Sequence, residues 1–78
     1  MEIEARIREV VSRVAREITN ISDITDEMQL NLSNSIIVLG ESGGELDIPA
    51  YKLDTLNEGM TIGEIIKELE DTWKMQKH

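Results

Sequence analysis

Six aliphatic residues near the start of the chain, Ile3, Ile7, Val10, Val11, Val14 and Ile18, recur at offsets of three and four. That spacing fits one face of an α-helix and no strand, so residues 2 to 19 read as an amphipathic helix. Glu2, Glu4 and Glu9 each precede an arginine by four positions, at Arg6, Arg8 and Arg13, which supports the exposed side. Asn20 is placed to end the helix. The rest of the chain must cover this stripe, and there is little of it. At 78 residues without a cysteine, neither a second core nor a disulfide or thiolate metal site is available. Tyr51 and Trp73 are the only aromatic residues, so the core is expected to be aliphatic.

A second strong signal begins at Thr61. Thr61-Ile62-Gly63-Glu64 has the form of a capping box, with Met60 placed to staple onto Ile65. Ile62, Ile65, Ile66, Leu69 and Trp73 then share one stripe, which predicts a helix over 61–75. Between these helices the pattern weakens. Ile21 to Leu30 reads as a loop with a helical turn, anchored by Ile24, Met28 and Leu30. Ser35 to Leu39 is a short apolar run that fits a short helix or a strand. Gly40, Gly43 and Gly44 punctuate the next stretch, and 50–57 fits a short helix opening at Pro49. The expected core is Ile3, Ile7, Val10, Val11, Val14, Ile18, Ile24, Leu30, Leu32, Ile37, Leu46, Ile48, Leu53, Leu56, Ile62, Ile65, Ile66, Leu69 and Trp73.

Charge narrows the partners. Sixteen acids face eight lysines and arginines, a net charge of −8. Residues 1 to 19 are balanced, whereas 20 to 71 carry twelve acids against Lys52 and Lys67. Such a field repels nucleic-acid phosphates and anionic lipid and favours basic protein surfaces. No run approaches the ~18 apolar residues of a membrane span, and Met1-Glu2-Ile3-Glu4 lacks the order of a signal peptide, so a cytoplasmic protein is expected. The one histidine is His78, which leaves no Ser-His-Asp or Cys-His arrangement. Gly40-Glu41-Ser42-Gly43-Gly44 lacks the ending of a phosphate loop, and Asn31 to Ser35 lacks calcium ligands. An enzyme is not expected.

The order of landmarks resembles the acyl carrier proteins, a small acidic helical family. Ile21-Ser22-Asp23-Ile24-Thr25-Asp26-Glu27 looks like that family's first loop, and Leu30-Asn31-Leu32-Ser33-Asn34-Ser35-Ile36 occupies the place of its attachment motif. Glu45-Leu46-Asp47-Ile48-Pro49 and Met60-Thr61-Ile62-Gly63-Glu64-Ile65-Ile66 look like its later landmarks. The resemblance covers almost the whole chain through short motifs. It implies a mainly α, single-domain four-helix bundle with a shortened, glycine-broken second helix. It also implies a 4′-phosphopantetheine arm on Ser35, or less favourably Ser33, installed by a phosphopantetheinyl transferase. Asn34 stands where the family has an aspartate. Ile36, Glu41, Glu45, Asp47 and Asp54 would present the acidic docking surface to acyl-processing enzymes with basic surfaces, as in fatty acid or polyketide biosynthesis, and a monomer is expected. The competing reading is an unmodified acidic binding module, either a degenerate carrier-like domain or an α+β domain. In the α+β version Ser35–Leu39 and Glu45–Tyr51 pair as a hairpin.

Overall fold

The computed structural model describes residues 2–48 and 59–76. Three helices account for most of them: α1 (Ile3–Thr19), α2 (Leu32–Leu46) and α3 (Ile62–Gln76). The expected short helix at 50–57, with Leu53, Leu56 and Asp54, lies outside the described residues. The fold is mainly α, and the described residues contain three helices.

α1 follows its aliphatic stripe. Ile7, Val10, Val11, Val14 and Ala15 are buried, while Ile3 and Ile18 pack at the edges of the core. Asn20 ends the helix in the left-handed conformation, φ 60°, its N–H bonded to the Arg16 carbonyl at 2.8 Å. The arginines take other partners than the spacing predicts. Arg6 meets Glu9, Arg13 meets Glu17, Arg8 reaches Asp26 in the loop and Arg13 also reaches Glu45 on α2. Long side chains can leave the helix surface where a carboxylate lies opposite.

α3 opens as a reciprocal capping box. The Glu64 N–H donates to Thr61 Oγ1 at 3.2 Å, and the Thr61 N–H donates to Glu64 Oε1 at 2.8 Å. The two preceding helical amides find loop carbonyls, Ile62 at Met28 (3.0 Å) and Gly63 at Asp26 (2.9 Å). Together with the Leu30 N–H on the Met60 carbonyl and a single antiparallel bridge between Gln29 and Thr61, these bonds join the first loop to the entry of α3. Gly59 leads into this ladder with φ +34°, and a Cβ there would lie 1.9 Å from the Leu30 carbonyl oxygen. Only glycine allows that approach.

α2 departs most from expectation. It runs unbroken through Gly40, Gly43 and Gly44, so the second helix is not glycine-broken and the hairpin alternative is overturned. Caps at both ends and packing between them hold it. Asn31 caps the start, Asp47 closes the end at φ 59°, and Val38 and Leu39 are fully buried. Gly43 sits where a Cβ would lie 2.5 Å from the Ile48 carbonyl oxygen, so here glycine lets the chain turn back tightly against the helix. The core expectation needs correction at this helix. Leu32 and Ile37 are exposed, and their places are taken by Val38 and Leu39, with Ala15 added from α1. α1 packs most extensively on α2 and then on α3, while α2 and α3 share the smallest contact.

Candidate functional site

The start of α2 is set by Asn31. Its backbone is extended (φ −72°, ψ 173°), its carbonyl accepts the Ser35 N–H at 2.9 Å, and its side-chain oxygen accepts the Asn34 N–H at 2.8 Å. This is the ordinary geometry of an N-cap, and it makes Leu32, Ser33 and Asn34 the first turn. The helix therefore begins a full turn before Ser35.

That offset decides what each serine can do. Ser35 faces inward with no exposed surface. Its Oγ accepts the Met60 N–H at 2.8 Å and donates to the Leu30 carbonyl at 3.4 Å. The hydroxyl thus ties α2 to the segment entering α3. A phosphopantetheine arm needs a serine oxygen that a transferase can reach, and an enclosed hydroxyl already committed to two backbone partners does not fit that requirement. Ser33 is exposed in the first turn, and Asn34 beside it is half-buried. No pocket opens among the described residues.

The other expected site residues separate into two groups. Ile36 (37% exposed) and Glu41 lie on the outward side of α2. Glu45 is engaged by Arg13, and Asp47 is the exposed helix cap. The Arg13 guanidinium is pushed above its ordinary pKa, first by its hydrogen bond to Glu45 and then by that carboxylate's charge. Arg8 is raised in the same way by Asp26. α2 itself carries no basic residue, and none occurs from Asn20 to Tyr51. Asp23, Glu27, Glu41 and Asp47 are exposed along that stretch.

Sequence reasoning placed Ile36 on this face but assigned Leu32 and Ile37 to the core. Leu32 (40% exposed) and Ile37 (39%) join Ile36 on the surface. The available signal was the adjacent pair Ile36-Ile37 followed by Val38-Leu39: four consecutive apolar residues cannot all face inward on a helix. Among the described residues no group of three or more histidines, cysteines or carboxylates could hold a metal ion. No helix among them is long and apolar enough to cross a membrane. Comparison with protein-family models, with curated proteins and with solved structures returns no match.

Proposed function

We propose that this chain is an acidic protein-binding module that docks a basic partner through α2 and its flanks, and that Ser35 carries no prosthetic arm. The enclosure of Ser35 Oγ between the Met60 N–H and the Leu30 carbonyl carries this reading. The charge distribution supplies the partner's sign: a stretch of thirty-two residues from Asn20 to Tyr51 holds six acids and no base. Rim charges of this kind mainly steer encounter, so association should weaken as salt rises. A module of this kind performs no chemistry of its own.

A second reading rests on Ser33. Its exposed position in the first turn of α2 leaves room for an acyl carrier whose arm is attached two residues earlier than the motif suggests. Intact-protein mass spectrometry after incubation with coenzyme A and several broad-range phosphopantetheinyl transferases separates the two. The binding module predicts no mass change. A single phosphopantetheine gain that disappears with Ser33→Ala would establish the carrier on Ser33, and one that disappears only with Ser35→Ala would overturn the enclosure argument. Docking is tested by carboxyl-to-amine crosslinking in native lysate. Glu41 or Asp47 should join to lysines of another protein, and crosslinks confined to this chain would refute the module.

A further inference from the structure

With Asn31 fixing the start of α2, two neighbouring rows of side chains run along its outward side. One row is Leu32, Ile36, Gly40 and Gly44, and the other is Ser33, Ile37, Glu41 and Glu45. The first half of this face is aliphatic, with Leu32, Ile36 and Ile37 between 37% and 40% exposed. In the second half Glu41 and Glu45 stand beside bare backbone at Gly40 and Gly44, where a Cβ would meet nothing within 4 Å among the described residues. Nothing among the described residues requires glycine at either position. Neither has a positive φ, and no other described residue comes close to either. Each instead weakens the helix relative to alanine. What they provide is a shallow furrow in line with an aliphatic ridge, and helices approach one another by setting such ridges into such furrows.

We propose that this face seats one amphipathic α-helix of a basic partner protein. The partner's aliphatic stripe would cover Leu32, Ile36 and Ile37, its backbone would come close over Gly40 and Gly44, and its lysines or arginines would lie beside Glu41 and Asp47. Charge complementarity selects this occupant. A second copy of the chain would bring six further acids and no base over the same stretch, and an anionic membrane would be repelled. The inference rests on the binding-module reading and adds to it the partner's secondary structure and the mode of contact. Leu32, Ile36 and Ile37 supply the seat, and Glu41 and Asp47 supply the sign of the partner, Glu45 being already held by Arg13.

The probe is a synthetic eighteen-residue helical peptide with a leucine stripe and lysines elsewhere, titrated into the full isotope-labelled chain, with a glutamate-for-lysine version as control. Amide shifts should concentrate between 32 and 45 for the lysine peptide only. The double variant G40A/G44A should melt at a higher temperature than wild type yet bind at least tenfold more weakly, and Ile36→Ser should also lose at least tenfold. A structural role alone would not weaken binding while raising the melting temperature. Equal binding by G40A/G44A, or shifts placed elsewhere, would overturn the docking face while carboxylate crosslinks to a basic protein still upheld the module. Concentration-dependent dimerisation through α2, or binding to phosphatidylcholine vesicles in place of the peptide, would assign the face to a different occupant and overturn the proposal.

Discussion

α1 and α2 pack against each other yet reach the helical state by different means. α1 has seventeen residues, no glycine, a continuous aliphatic stripe, and ion pairs between Arg6 and Glu9 and between Arg13 and Glu17 along its surface. Its sequence favours a helix before any partner is present. α2 has fifteen residues, three glycines and no basic residue, and it turns two serines inward at Ser35 and Ser42. Each glycine costs about 1 kcal/mol of helix stability relative to alanine. A short helix with that composition is held by its caps and by the core it covers. The helix that carries the candidate docking face is therefore the one whose shape depends most on its surroundings.

The largest expected effects test that dependence. Ile7→Ala on α1 and Leu39→Ala on α2 each remove a fully buried side chain and should cost about 2 to 5 kcal/mol by urea denaturation. If packing holds α2, Leu39→Ala should be no milder than Ile7→Ala. A loss below about 1 kcal/mol at Leu39 would mean that α2 has another source of stability. Gly43→Ala sharpens the same point. A Cβ 2.5 Å from the Ile48 carbonyl oxygen forces the tight return of the chain to move, and overpacking of this kind should cost about 1 to 3 kcal/mol. Stability equal to wild type would show that this contact relaxes freely.

The two inward serines should respond with opposite signs. Ser35→Ala removes the acceptor for the Met60 N–H and should cost about 1 to 3 kcal/mol. Ser42 Oγ is buried with no hydrogen-bond partner among the described residues, so Ser42→Ala should raise stability, by about 1 kcal/mol. Thermal melts of both variants check the pair. Losses of equal size would mean that Ser42 finds a partner in solution. Gly40→Ala should also be stabilising, by up to about 1 kcal/mol, because its Cβ meets none of the described residues. Opposite signs at Gly40 and Gly43 within one helix would separate a glycine that the fold requires from one that it does not.

The same contrast explains what could be read from the sequence. α1 and α3 were legible because apolar spacing and the Thr61–Glu64 capping box act locally. α2 hid its register. Its inward positions, Ser35, Val38, Leu39, Ser42 and Gly43, have helical spacing, but only two of the five are apolar side chains, while Leu32, Ile36 and Ile37 on the outside are strongly apolar. Hydrophobicity therefore points partly the wrong way, and the glycines add the appearance of a break. Of the candidate site, the exposure of Ile36 and Glu41 was foreseen. The burial of Ser35 was not, because it results from Asn31, and not a later residue, capping the helix. Single-residue cap choice at the edge of an ambiguous segment shifts every face by a turn's fraction, and only the tertiary contacts at Leu30 and Met60 fix it.

The smallest expected effect concerns how α1 reaches beyond itself. Arg8 and Asp26 meet at 2.6 Å with both side chains about half exposed. An exposed pair of this kind contributes under about 1 kcal/mol, and less as salt rises. Arg8→Gln should therefore lower the urea midpoint slightly in dilute buffer and hardly at all near 1 M salt, where the screening length falls to about 3 Å. Its pH dependence is set by the direction of the Arg8 shift. A cationic group whose pKa is raised on folding contributes stability that is fully present below its unfolded value and is lost only as pH climbs through the raised folded value. For an arginine that window lies above the working range, so titration of Arg8 adds no slope between pH 6 and 9, and wild type and Arg8→Gln should differ by the same amount across it. A difference that grew steadily over this interval would place the coupling on another titrating group near the pair. A loss above about 2 kcal/mol would show that Arg8 does more than pair on the surface and anchors the loop whose Asp26 carbonyl also caps α3.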